Sequence, residues 1–224
     1  MVKRSFEELV KEALAQEFSG WDFSWLLGRY YESEPYWNYR QLVMDRMKGI
    51  SSMLDMGTGG GEFLASLTSL PEITYATEGY PPNFPIAKQR LQPLDVQVVA
   101  VEDEHALPLP DVTFDLVINR HEYFDVAEVR RILKPGGIFL TQQVGPRNCV
   151  ELNQYLSAPL DANLVQWKMD HETGALKRAG FSILQSHEQI LESNFFDIGA
   201  VVFYLKVIEW QIEGFSVEKY EPRL

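Results

Sequence analysis

The sequence predicts an α/β domain built on a doubly wound, mainly parallel sheet of seven strands, with an N-terminal helical and aromatic cap. Three observations predict it. Short apolar runs alternate with helical patterns from Ser52 onward, which calls for crossover connections between parallel strands. Val96 to Val101 is almost wholly apolar, as expected of a strand covered on both faces. A glycine-rich bend, Gly57-Thr58-Gly59-Gly60-Gly61, joins the first apolar run to the next helical pattern.

The elements follow in order. Phe6, Leu9, Val10, Ala13 and Leu14 carry helical spacing that breaks at Ser19-Gly20. An irregular aromatic stretch follows, with Phe18, Trp21, Phe23, Trp25, Tyr30, Tyr31 and Tyr36. Residues 1–36 are therefore expected to form a cap segment, and residues 37–224 a single globular unit. A helix is expected from about Tyr36 to Lys48, stopped by Gly49. Strand Ser52–Met56, helix Glu62–Leu70, strand Ile73–Thr77, helix Asn83–Leu91, strand Val96–Val101 and strand Phe114–Ile118 come next. Helix Val126–Leu133 is closed by Lys134-Pro135-Gly136-Gly137, and a strand runs from Ile138 to Val144. Beyond it, Glu172–Ala179 reads as a helix and Phe181 to about Ile190 as a strand. Asp197 could cap a helix through Lys206, or the same residues could form a last strand, since β-branched and aromatic types favour it.

Composition narrows the function classes. The 224 residues suffice for one sizeable domain. No apolar run reaches the roughly 20 residues of a membrane-spanning helix, and the start of the chain does not read as a secretory signal. The single cysteine, Cys149, precludes an intramolecular disulfide and fits a reducing compartment, so the expected location is cytoplasmic. A net charge of −12 argues against a broad electrostatic grip on nucleic acid, though an RNA reached through a local patch stays open. Histidines 105, 121, 171 and 187 show no metal-ligand spacing, and no metal site is expected.

The bend holds the first candidate site. Glycines let a ligand approach the backbone, and the following helix starts with free N–H groups. In dinucleotide folds such a bend holds a pyrophosphate. Here Asp55 precedes it at the strand end, where a carboxylate repels phosphate and suits an ammonium group. Tight strand-to-helix turns also use glycine for structural reasons alone.

The segment Asp55-x-Gly57-x-Gly59-x-Gly61 resembles the first motif of the class I S-adenosylmethionine-dependent methyltransferases, whose sheet is Rossmann-like. Glu78 ends the second strand 23 residues after Asp55, where the family places an acid for the ribose hydroxyls. The stretch Val101-Glu102-Asp103-Glu104-His105-Ala106-Leu107-Pro108-Leu109-Pro110-Asp111 leads into Val112-Thr113-Phe114-Asp115-Leu116-Val117 and is similar to another family pattern. Its register implies that Asp103 faces the adenine amino group and that Glu104 offers a backbone N–H to the ring. Glu102 is an additional acid, leaving the register open by one position, and Ala106 departs from the commoner polar residue. Arg131-Ile132-Leu133-Lys134-Pro135-Gly136-Gly137 resembles the family's turn before its fifth strand. The resemblance implies S-adenosylmethionine as cofactor, held by Asp55, Gly57, Thr58, Gly59, Gly61, Glu78, Glu102, Asp103, Glu104, Asn119 and Arg120.

The acceptor side is less marked. Asn119-Arg120-His121-Glu122-Tyr123 follows the fourth strand, at the sheet end where open α/β folds bind ligands. His121 is the candidate base, with an ordinary pKa of about 6.5; a hydrogen-bonded helix-start residue is the alternative. Arg120 lines the pocket or pairs with an acid. Gln142 and Gln143 end the fifth strand. Trp37 and Tyr39 are candidates to stack near the methionine end of the cofactor. Asn119 does not introduce an Asn-Pro-Pro-Tyr signature. Ser19-Gly20-Trp21-Asp22-Phe23-Ser24-Trp25-Leu26 is a candidate cover for the site, against ordinary packing at the sheet edge. The expected acceptor is a small molecule, with the oligomer, monomer or homodimer, left open. The competing readings are an RNA or protein methyltransferase on the same fold, a nicotinamide-dependent oxidoreductase, and a non-catalytic cofactor-binding relative.

Overall fold

A computed structural model describes residues 4–160 and 168–224; the first three residues of the expected cap lie outside it. Ser5 starts α1 (Phe6–Ala15) with a capping box: its hydroxyl accepts from the Glu8 N–H, and the Glu8 carboxylate accepts from the Ser5 N–H. After an irregular stretch come β1 (Tyr30–Glu32) and α2 (Tyr39–Arg46), the latter capped by the Asn38 side chain. The alternating core follows: β2 (Ser52–Met56), α3 (Glu62–Ala65), β3 (Ile73–Glu78), α4 (Asn83–Leu91), β4 (Gln97–Ala100), β5 (Phe114–Arg120), α5 (Val126–Ile132) and β6 (Leu133–Gln142). Then come α6 (Val150–Leu156), α7 (Met169–Arg178), β7 (Ser193–Phe195), α8 (Ile198–Val207) and α9 (Val217–Tyr220).

The main sheet has the order β4-β3-β2-β5-β6, and every neighbouring pair is parallel. This is the Rossmann-like doubly wound arrangement. From β2 the chain steps outward to β3 and β4, then returns to place β5 on the other side of β2, so the winding reverses between β2 and β5. Alternate side chains of each central strand enter opposite layers. Met53, Leu116 and Ile118 pack with Val43, Leu64, Ala87 and Leu91 from α2, α3 and α4. Leu54, Met56 and Val117 pack with Val129, Ile132 and Leu176 from α5 and α7.

The sequence expectation of seven strands in one sheet divides in two. Five strands form the sheet, and β1 pairs antiparallel with β7 in a separate ribbon, Tyr30 opposite Phe195. The strand expected from Phe181 to Ile190 is absent. Phe181 and Ile183 pack on the sheet's core, but Leu184 and Ile190 are each 65% exposed, so alternation lapses after two residues and no apolar face is left to bury. The helix expected to reach Leu70 ends at Ala65 and continues as turns. Lys134 to Gly137 interrupt the β5–β6 ladder, whose partners step from Phe114–Leu133 to Leu116–Ile138, as proline and a left-handed Gly136 require.

Residues 198–207 are helical. The Asp197 carboxylate accepts from the Ala200 N–H and also forms a two-point ion pair with Arg29. Gly199 permits close packing, since a Cβ there would come within 2.9 Å of the Leu9 carbonyl on α1. Val10 and Ala13 of α1 thus share a core with Ala200 and Phe203 of α8, flanked by Phe18, Phe23 and Trp25. No helix among the described residues is long and apolar enough to cross a membrane.

Candidate functional site

Parallel pairing brings the carboxyl ends of all five strands to one edge. Met56 lies opposite Asn119 and Asn119 opposite Thr141, while Glu78 lies opposite Ala100. The crevice at the reversal between β2 and β5 is where an open α/β sheet receives a ligand. Asp55, the glycine bend, Asn119 and Arg120 border it.

Gly57, Gly59 and Gly61 all have positive φ (66°, 62° and 80°), a conformation that costs other residues about 1–2 kcal/mol. The bend is anchored to β3: the Thr58 N–H donates to the Thr77 carbonyl at 2.8 Å, and the Gly57 N–H to the Thr77 hydroxyl at 3.2 Å. Asp55 is buried, and its carboxylate accepts from the Thr58 hydroxyl at 2.8 Å. Loss of hydration pushes its pKa up to about 7, and Glu78 adds to the rise, while the Thr58 hydroxyl and Arg120 oppose it. Glu78, also buried, accepts from the Tyr80 N–H at 2.7 Å, and its carboxyl is raised by burial. Two buried carboxyls at one strand end, Glu78 also held by backbone N–H groups of Gly59 and Gly79, are a receptor for hydroxyl, ammonium or other cationic groups.

The third acidic stretch is more open. Glu102 and Asp103 are exposed and Glu104 half-buried. The Asp103 carboxylate accepts from the His105 N–H at 2.9 Å.

On the β5 side, the Asn119 Oδ1 accepts from the Thr141 hydroxyl and from Gln143 Nε2. Its Nδ2 is fully buried and has no acceptor among the described residues, an unsatisfied donor at the end of the strand that borders the crevice. Arg120 lies over the Phe63 ring at 5.1 Å. His121 has a left-handed φ of 62°, uncommon outside glycine and concentrated at functional sites. Its N–H donates to the Gln142 carbonyl at 2.9 Å. Although part of the side chain reaches solvent, the surrounding protein atoms and then Arg120 hold its imidazole below the ordinary range.

Trp37 and Tyr39 both reach this wall. The Trp37 indole N–H donates to Gln142 Oε1 at 2.9 Å, and the Tyr39 hydroxyl to the Asn119 carbonyl at 3.1 Å.

Two residues gain importance that sequence reading did not assign. Glu122 packs its side chain on the Gly57 α-carbon, and burial followed by Glu104 and Glu78 pushes its carboxyl up to about 7. Trp21, read only as part of a possible cover, lies on Gly59. Glu122 carried one signal, its place directly after β5; nothing local ties Trp21 to a loop 38 residues later.

The residues present fit an aminoacyl-nucleoside carrying positive charge. They combine a glycine cradle a Cβ would fill, two buried carboxyls and an unsatisfied amide donor.

Residues 54–141 match the family model of the methyltransferase domain. No curated protein matches the sequence. Among solved structures, a chain from the complex of the Haloferax volcanii Trm112 methyltransferase activator with a candidate methyltransferase is 22% identical with a TM-score of 0.52, covering 70% of each chain. A protein of Bacillus halodurans assigned as a methyltransferase is 23% identical with a TM-score of 0.53, covering 66% of this chain and 70% of that one. The [4+2]-cyclase SpnF is 20% identical with a TM-score of 0.53, covering 79% of this chain and 70% of its own. These likenesses establish the fold.

Proposed function

We propose that this chain is a class I S-adenosylmethionine-dependent methyltransferase that methylates a small-molecule acceptor at the crevice between β2 and β5, a reading supported by the match of residues 54–141 to the methyltransferase-domain model. The observation that carries the site is the convergence of Asp55, the glycine bend and Glu78 at one end of the parallel sheet. In this reading Asp55 accepts from the cofactor's ammonium group and Glu78 from its ribose hydroxyls. Gly57, Thr58, Gly59 and Gly61 present backbone at close range. Asp103 faces the adenine amino group, Glu104 offers its N–H to the ring, and Glu102 adds negative charge at that end. Asn119 and Arg120 form the wall under the methionine portion.

When bound, the cofactor supplies a methyl group on an already activated sulfonium, so catalysis rests mainly on alignment. The protein's own work is to orient an acceptor over the β5–β6 end and to keep water out. His121, with its imidazole held neutral, is the base available to a hydroxyl or thiol acceptor. Gln142 accepts from Trp37 and carries the carbonyl that holds the His121 N–H. Residues 1–36 act as a cap on the unit formed by 37–224: α1 is joined to α8, and the aromatic stretch lies against the glycine bend.

Calorimetry with S-adenosylhomocysteine tests the site. Wild-type chain is expected to bind, and Asp55→Ala to lose binding while keeping its fold. NADH stabilising the chain where S-adenosylhomocysteine does not would instead favour an oxidoreductase. Labelled donor offered with small molecules, RNA and protein substrates then separates acceptor classes. Tight binding with no transfer to any of them would leave a non-catalytic cofactor-binding role.

A further inference from the structure

Two side chains from outside the glycine bend lie directly on it. A Cβ added to Gly59 would sit 2.7 Å from Trp21 Cδ1, and one added to Gly57 would fall within the Glu122 side chain. At the very backbone that the glycines leave open for a ligand, the protein has placed its own groups.

Trp21 is held there by a short latch. The Gly20 N–H donates to the buried Asn83 Oδ1 at 3.1 Å, and a Cβ on Gly20 would meet Glu62 Oε1 at 3.1 Å and the Gly60 α-carbon at 3.6 Å. The Trp21 ring stacks on Phe23 at 5.7 Å and meets Phe18 and Trp210 edge-on. It is nonetheless 40% exposed, so it covers the bend rather than filling a core. Gly20 and Gly28, both with positive φ, bracket the segment and give it pivots that other residues tolerate poorly. Glu122, for its part, lies beside two further acids, Glu78 and Glu104, and shares a hydrogen bond with Glu104.

We infer that Trp21 and Glu122 are reversible occupants of the cofactor crevice, which the cofactor displaces on binding. The inference rests on the reading of the bend as the cofactor site. A site that must first shed its own side chains binds with an apparent dissociation constant raised by the inverse of its open fraction. Removing an occupant therefore tightens binding, whereas removing an ordinary wall residue weakens it.

The test is calorimetry with S-adenosylhomocysteine on the full chain, with folding checked by circular dichroism. Trp21→Ala and Glu122→Ala are each expected to bind about three- to tenfold more tightly than wild type. Addition of S-adenosylhomocysteine is also expected to change tryptophan emission in wild type but not in Trp21→Phe, which keeps the fluorescence assay decisive even if an alanine variant misfolds. Affinity lowered or unchanged in the alanine variants, or an emission change that persists in Trp21→Phe, overturns the occupant role while leaving the site intact. Failure of folded wild type and both alanine variants to bind at all overturns the site and this inference together.

Discussion

The Thr58 hydroxyl reaches back across the bend to the Asp55 carboxylate at 2.8 Å, tying the first turn of the loop to the last buried charge of β2. Among the described residues that hydrogen bond is the one Asp55 makes to a side chain, and it does not repay the loss of water: the carboxyl is pushed up to about 7. An acid with a raised folded pKa destabilises the fold as pH climbs. The penalty is absent below the unfolded value of about 3.9 and grows until pH passes 7.

Asp55→Asn should therefore stabilise the ligand-free chain at pH 8, and the gain should vanish near pH 4. Each kcal/mol gained raises the melting temperature by about 2–4 °C for a chain of this size. Melting curves across pH, set beside calorimetry with S-adenosylhomocysteine, would show stability rising as binding is lost. A variant less stable at pH 8 would contradict the assignment of Asp55 as an uncompensated buried charge.

Asp115 is the opposite case, at the far end of the sheet. Its carboxylate accepts from the Ser51 and Ser52 N–H groups and hydroxyls, and from Lys134 at 2.9 Å. Despite some desolvation, these bonds hold it well below the usual carboxylate range. With a depressed folded pKa, its contribution is present above pH 4 and is lost as pH falls further. Asp115→Asn should cost roughly 2 kcal/mol at pH 7, and much less in acid. Urea titrations at pH 7 and pH 3 check both values.

Asp197→Ala removes a helix cap and the partner of a largely buried guanidinium in one change. Arg29 would keep its place 3.8 Å over the Trp25 ring with only the longer contact to Glu12, at 3.6 Å, as counter-charge. The expected loss is about 3 kcal/mol, the cap contributing about 1 of it. Arg29→Met with Asp197→Asn should recover part of that loss in denaturant titrations, because no lone charge is left.

Gly59→Val should abolish binding of S-adenosylhomocysteine and also reduce stability. The backbone holds a φ of 62°, and the new side chain would strike Trp21. Adding Trp21→Ala removes the clash but not the strain, so stability should return in part while binding stays lost. Full recovery of binding in the double variant would show that the bend is not read at its backbone.

The local alphabet determined a good deal by itself. Apolar runs broken by helical spacing specified β2 to β6 and the helices between them, because a strand buried on both faces leaves no other pattern. The order of Asp55, the glycines and Glu78 along the chain specified a strand-end site for the same reason, since each acid directly follows or ends an apolar run. Residues 197–206 were ambiguous, being equally good as helix or strand by composition. Only packing of Gly199 against α1 and the Asp197 cap decided for helix. Likewise the pairing of β1 with β7, the lapse of Phe181–Ile190, and the seating of Trp21 on Gly59 and Glu122 on Gly57 were settled in three dimensions. Each depends on contacts between segments distant in sequence or on how a single side chain turns after a strand end, and neither leaves a periodic trace in the chain.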